Sequence, residues 1–143
     1  MFRLMKMSDN SENKNTADVS RRILVIEDNT DSAEMLQTFL EIHGHQITVK
    51  NNGADGLEAA RDLTPEVIIC DIRLSGDLNG YDVAEEIRRD KVKSVFLIAL
   101  SGYGRPEDKE KSKSAGFNEH LTKPTDFDAL LKLIDNFDGS NQI

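Results

Sequence analysis

The chain has 143 residues, one cysteine and a formal net charge of −8, which fits one domain whose core needs neither disulfides nor a structural metal. Cys70 can close no intrachain bridge and no Cys/His spacing for zinc occurs, so a reducing, cytoplasmic setting is expected. The acidic balance opposes direct nucleic-acid binding, and apolar runs of at most about seven residues fall far short of the roughly 20 that a membrane span needs.

Met1 to Met7 is too short and carries no cleavage pattern for a signal peptide, and Ser8 to Ser20 is almost wholly polar. Residues 1–20 are therefore expected to form a disordered tail, 21–138 the domain and 139–143 a short C-terminal tail. From Arg21 onward, β-branched runs alternate with helical patterns. Ile23-Leu24-Val25-Ile26 reads as a strand buried on both faces, ending in Glu27-Asp28. A helix follows, with Met35, Leu36, Phe39 and Leu40 as its inward stripe and His43-Gly44 as its end. Ile47-Thr48-Val49 is a short edge strand. Leu57 to Leu63 is a helix stopped by Thr64-Pro65, and Val67-Ile68-Ile69-Cys70 is a strand running into Asp71. A loop with Gly76, Asn79 and Gly80 leads to a helix carrying Val83, Ala84 and Ile87. Val95 to Leu100 is the fourth strand, ended by Ser101-Gly102-Tyr103-Gly104, and a charged helix runs from Pro106 to Ala115-Gly116. Glu119-His120-Leu121 is the last strand. The final helix, capped by Thr125 or Asp126 after Lys123-Pro124, presents Phe127, Leu130, Leu131 and Ile134 inward.

This order predicts an α/β fold: a doubly wound, five-stranded parallel sheet of flavodoxin-like (βα)5 type, strand order 2-1-3-4-5, with its chemistry beyond the carboxyl ends of the strands. Four of those ends carry polar groups that a core would not require: Glu27-Asp28, Asp71, Ser101 and Lys123. Three carboxylates drawn together repel by roughly 4 kcal/mol per pair at about 4 Å and an effective dielectric of 20, a conflict that a hard divalent cation such as Mg²⁺ relieves. Lys123 can balance one carboxylate and hold a phosphoryl oxygen, while the Ser101 hydroxyl can donate to another. Asp71, alone at the end of a central strand, is the natural nucleophile, and aspartyl phosphate the expected adduct.

Ile-Glu27-Asp28, Cys-Asp71-Ile-Arg-Leu, Leu-Ser101-Gly and Leu-Thr-Lys123-Pro124, at four successive strand ends, resemble a response-regulator receiver domain over about Arg21 to Phe137. The resemblance implies phosphoryl transfer to Asp71 from a phosphohistidine of a sensor histidine kinase or histidine phosphotransfer protein. It implies Mg²⁺ held by Glu27, Asp28, Asp71 and the Arg73 backbone carbonyl, and a cis Lys123-Pro124 bond. It also implies an output surface on the fourth helix, fifth strand and fifth helix. Ser101 and His120 occupy the switch positions; His120 stands where Tyr or Phe is usual. Arg73 and Tyr103 occupy positions that tend in the family to tune acyl-phosphate hydrolysis. The loop after Asp71 has Ser75-Gly76 where Pro is common, and is one residue longer before Gly80. Only six residues follow Phe137, so a single-domain response regulator is expected, signalling through contact with an unknown protein target and without independent enzymatic turnover.

Plainer readings compete. Asp71 could be a solvated strand end or a helix cap, Glu27-Asp28 a favourable charge at a helix N-terminus, and Ser101-Gly102 an ordinary turn. Cys70 reads as a core residue and His120 as packing, with a pH-sensitive switch as a lesser alternative. Leu133 and Phe137 fall off the inward stripe and read as surface apolars or a docking patch. A receiver fold that is never phosphorylated stays open. An aspartyl-phosphate phosphohydrolase would want Asp-x-Asp after the first strand, and a flavin or nucleotide carrier a Gly-rich loop; neither pattern is present.

Overall fold

The structure, a computed structural model, describes residues 19–90 and 94–137. Both expected tails lie almost wholly outside these residues; Val19 and Ser20 precede the first strand, exposed and without regular structure. The elements are β1 (Arg22–Ile26), α1 (Thr30–Ile42), β2 (Gln46–Lys50), α2 (Gly53–Leu63), β3 (Val67–Asp71), α3 (Gly80–Asp90), β4 (Phe96–Ser101), α4 (Pro106–Ala115), β5 (Glu119–Thr122) and α5 (Phe127–Asn136). All strands pair in parallel in the order β2-β1-β3-β4-β5, the expected flavodoxin-like topology.

Strand side chains alternate between faces, so the continuous apolar runs divide into two cores. Leu24, Ile26, Ile68, Cys70, Leu97 and Ala99 meet Leu57 of α2, Val83, Ala84 and Ile87 of α3, and Ala115 of α4. Ile23, Val25, Val67, Ile69, Phe96, Ile98 and Leu100 meet Leu36 and Leu40 of α1 and Leu130 and Ile134 of α5. Fully burying one such aliphatic side chain contributes about 1.5–3 kcal/mol, so β1, β3 and β4, buried along nearly their whole length, form the rigid centre. Cys70 is fully buried, and burial pushes its thiol well above the ordinary range, so it is inert packing.

Two helices are rotated relative to the sequence reading. In α1 the inward line is Ala33, Leu36 and Leu40, while Met35 is 62% exposed. In α5 Leu130, Ile134 and the following Phe137 are buried and Leu133 packs against them, whereas Leu131 does not join that core. Each helical residue turns the side chain by about 100°, so Met35 stands at least a full step off the i, i+3, i+7 line of α1 and Leu131 a full step off the i, i+4, i+7 line of α5, while Leu133 stands only about 60° off the latter. Phe137 is thus no surface patch: its ring stacks on Phe96 with centroids 5.0 Å apart. The start of α2 lies four residues earlier than Leu57, because the Asn52 side chain accepts the Asp55 amide at 2.8 Å and caps a turn with little apolar content. In α5 the cap is Asp126, accepting from Ala129 N.

The amino ends of the strands are stitched by arginines that answer carbonyls left free at helix C-termini. Arg22 donates to Leu63 O and Thr64 O after α2, at 2.9 and 2.5 Å; Thr64 itself is left-handed, at φ 43°. Arg88 of α3 reaches Gly116 O after α4, Val95 O and Asn118 Oδ1, at 2.9 to 3.0 Å. Arg21 donates to Phe137 O after α5, at 2.6 Å. These bonds fix the helix ends away from the carboxyl ends of the strands.

Candidate functional site

At those carboxyl ends the chain leaves β1, β3, β4 and β5 side by side and brings together Glu27, Asp28, Asp71, Ser101 and Lys123. Glu27 and Asp71 are 2% and 4% exposed and Ser101 is 1% exposed, a degree of burial that carboxylates tolerate only with partners. Glu27, Asp28 and Asp71 each offer a carboxylate oxygen within 4.8 Å of the others. Local geometry holds each in place. The Asn29 amide donates to Glu27 Oε2 at 3.0 Å as the chain enters α1. The Ser75 amide donates to Asp28 Oδ2 at 2.9 Å, and the Arg73 amide to Asp71 Oδ1 at 3.2 Å. The loop after β3 therefore wraps the carboxylates with its own N–H groups. Glycine at position 80 is required here: a Cβ would lie 2.5 Å from the Asp71 carbonyl oxygen.

Lys123 reaches the trio from β5, its Nζ donating to Asp71 Oδ2 at 2.9 Å and to Glu27 Oε1 at 3.3 Å. The Lys123-Pro124 peptide that follows is cis. Burial opposes the ammonium charge, but its hydrogen bond to Asp71 and the attraction of Asp71 and Glu27 more than offset this, so Lys123 titrates above its ordinary value. Burial lifts the Glu27 carboxyl above the usual carboxylate range; the Asn29 amide pulls it back and Asp71 pushes it up further. One ammonium does not neutralise three carboxylates. The donor set, hard oxygens in excess negative charge, fits a divalent cation of the Mg²⁺ type, with Glu27, Asp28 and Asp71 as its side-chain ligands.

Ser101 ends β4, where its Oγ accepts the Tyr103 amide at 3.0 Å and its carbonyl accepts Lys123 N at 2.7 Å. His120 lies apart from the carboxylates. Its ring bonds Ser112 of α4 through Nδ1 at 2.8 Å and the Tyr103 carbonyl through Nε2 at 3.0 Å, so it joins β5 to α4 and to the loop after β4. Arg73 and Tyr103, 30 residues apart, meet over the mouth of the site: Arg73 NH1 donates to the Tyr103 hydroxyl at 2.8 Å, and the guanidinium carbons of Arg73 and Arg105 stand 5.6 and 5.8 Å from the ring centroid. Neither contact has a local spacing signal: Arg73 and Tyr103 lie 30 residues apart, and Ser112 meets His120 only because α4 packs back on the strand that follows it.

Comparison with known proteins agrees with this geometry. Residues 23–135 match the response regulator receiver domain. Protein PilH of Pseudomonas aeruginosa is 35% identical over 114 residues, 79% of this chain and 93% of PilH. The cell cycle response regulator CtrA of Brucella ovis is 31% identical over 113 residues, 79% of this chain and 48% of CtrA. Among solved structures, the receiver domain of the Francisella response regulator 1452 superposes with a TM-score of 0.77 at 25% identity, covering 81% of this chain and 94% of that one. Among the described residues no helix is long and apolar enough to cross a membrane. With a matching family, fold and carboxylate cluster, the chain belongs to the receiver domains of response regulators.

Proposed function

We propose that the chain accepts a phosphoryl group from a phosphohistidine onto Asp71, in the presence of Mg²⁺, and passes the signal on by protein contact. The observation that carries this reading is the Lys123 ammonium bridging two buried carboxylates at the carboxyl end of the sheet. In the transfer, an Asp71 oxygen forms the new O–P bond as the N–P bond to the donor imidazole breaks, and the leaving nitrogen keeps the electron pair and takes a proton. Lys123, already charged and aimed at Asp71, holds one phosphoryl oxygen, and the Ser101 hydroxyl donates its hydrogen to another while its oxygen can still accept the Tyr103 amide. The Arg73 amide orients the nucleophile, and the Arg73 carbonyl would join Glu27, Asp28 and Asp71 in holding the cation. A bound divalent cation supplies charge neutralisation between the carboxylates and the incoming phosphoryl oxygens.

The added charge, up to about −2, biases a two-state equilibrium to the extent that the states differ in how Ser101 and the loop after β4 meet it. His120, tied to that loop and to α4, is the relay on the other side. The partners are a sensor histidine kinase or a histidine phosphotransfer protein upstream and a protein target downstream, in the cytoplasm. The domain is a phosphoacceptor that assists its own phosphorylation and dephosphorylation rather than a turnover enzyme. Intact-mass measurement after incubation with a small phosphodonor and Mg²⁺ tests this: the mass rises by one phosphoryl unit, and Asp71→Asn abolishes the gain. Labelling that persists in Asp71→Asn refutes the assignment.

A further inference from the structure

At the opposite end of the sheet sits a buried ring that the phosphoryl chemistry does not use. His45 is 5% exposed and enters β2 directly after Gly44, whose φ of +94° closes α1; its own amide donates to Leu40 O at 3.2 Å. The ring nitrogen Nδ1 accepts the backbone N–H of Arg21 at 3.0 Å. An amide can only donate, so this bond requires an unprotonated Nδ1, and the neutral ring carries its hydrogen on Nε2. Both Nε2 and the adjacent Arg21 Nε are buried without a hydrogen-bond partner among the described residues.

Arg21 carries the contact onward. Its NH2 donates to Phe137 O at 2.6 Å, its guanidinium carbon lies 4.9 Å from the Phe137 ring centroid, and Phe137 stacks on Phe96. We propose that His45 is a proton-operated latch: its neutral ring fastens the starts of β1 and β2 and, through Arg21, the C-terminal end of α5, and a proton on Nδ1 unfastens all three. A protonated Nδ1 faces the Arg21 amide donor to donor, so the bond that holds the ring is lost, and the Nε2–H gains no acceptor in exchange.

The charged groups facing the ring are Arg21 just before β1, His43 at the end of α1, Glu66 before β3 and Asp135 of α5. Neither carboxylate bonds to the ring among the described contacts. Burial holds the ring below its ordinary titration range; Asp135 offsets part of this, and Arg21 and His43 work against that offset. The latch is independent of Asp71, which lies at the other end of the strands, so the failure of either reading leaves the other standing.

The test is amide hydrogen exchange and two-dimensional NMR on the whole chain between about pH 7.5 and 4.5, which spans the ordinary imidazole range and the lower range into which burial moves this ring. After correction for intrinsic rates, protection of the Phe137 amide, which donates to Ile134 O, falls severalfold below pH 6.5, by up to about tenfold per pH unit, the limit for one linked proton, while amides of β3 hold. The shifts of Arg21 and Phe137 follow the His45 ring signal. His45→Gln offers a non-titrating acceptor and removes the acid dependence. A His43→Gln/His120→Gln double variant, in which His45 is the remaining histidine, retains it and keeps the test open if His45→Gln does not fold. An acid response that survives in folded His45→Gln, or one in the double variant that does not track the His45 ring, overturns the proposal.

Discussion

The two ends of this sheet handle charge in opposite ways. At the amino ends, Arg21, Arg22 and Arg88 each meet carbonyl oxygens at helix C-termini, so positive charge is spent on backbone groups that would otherwise lie unpaired. At the carboxyl ends, Glu27, Asp28 and Asp71 crowd within 4.8 Å of one another, and the Lys123 ammonium pairs with two of them, Glu27 and Asp71. One end pairs its guanidinium groups with the chain's own carbonyls, leaving only Arg21 Nε and His45 Nε2 unpaired among the described buried side-chain atoms; the other keeps an excess of negative charge. The same strands support both, and the rigid centre between them allows the difference to persist.

Substitutions can widen or erase that contrast. Arg88→Ala removes three hydrogen bonds joining α3 to the residues just before β4, just after α4 and just before β5, and the loss is expected to cost about 2–4 kcal/mol in urea unfolding; a cost below about 0.5 kcal/mol would mean the amino end does not depend on its arginines. At the carboxyl end the expected effects are stabilising. Magnesium at about ten times its dissociation constant adds about 1.4 kcal/mol to the unfolding free energy, and no shift in the melting temperature would mean that the excess charge is not answered by magnesium. Asp28→Asn, which keeps an acceptor for the Ser75 amide, adds about 1 kcal/mol without metal by relieving repulsion and shrinks the magnesium response; a destabilised variant would contradict the crowding.

The smallest effect is the dependence on pH, and the two ends pull it in opposite directions. Glu27 titrates above its ordinary 4.5 when folded, so between those values the folded state holds more protons than the unfolded one. Its contribution is therefore largest below 4.5 and is lost as pH rises through the folded value. His45 titrates below its ordinary 6.5 when folded, so the unfolded state holds more protons there, and stability is lost as pH falls below 6.5. In metal-free buffer, Glu27→Gln should flatten the first slope and His45→Gln the second; denaturant midpoints against pH that change on the wrong limb would break the assignment.

The sequence revealed the carboxyl end more fully than the amino end. Glu27-Asp28, Asp71 and Ser101 each interrupt an apolar strand at its close, so local contrast pointed to them; Lys123 follows a largely polar strand and was singled out by its place at a strand end and by the Leu-Thr-Lys123-Pro124 motif. The arginine contacts left no such trace: Arg88 meets Gly116 and Asn118 only because α3 and α4 pack as neighbours, and Arg21 meets His45 only through strand pairing. Helix facing was partly legible. Leu36, Leu40, Leu130 and Ile134 were recognisable, but Met35 and Leu131 are apolar neighbours of buried residues, and choosing between adjacent apolar positions depends on where the sheet lies. Phe137 looked exposed because its burial depends on Phe96, 41 positions earlier.

The division of β3 into two faces has a consequence for how this chain can change. Val67 and Ile69 point to α1 and α5 while Ile68, Cys70 and Ile72 point to α2, α3 and α4, so the strand works as a ruler graduated in twos. Adding or deleting a single residue between Val67 and Asp71 would swing the carboxylate to the far side of the sheet, out of reach of Lys123, and turn half the core outward. The loop between Asp71 and Gly80 carries no such graduation. Tolerance of a change in length is therefore expected only between Ser75 and Gly80, past the amides that hold Asp71 and Asp28, while the count of residues leading up to Asp71 is fixed.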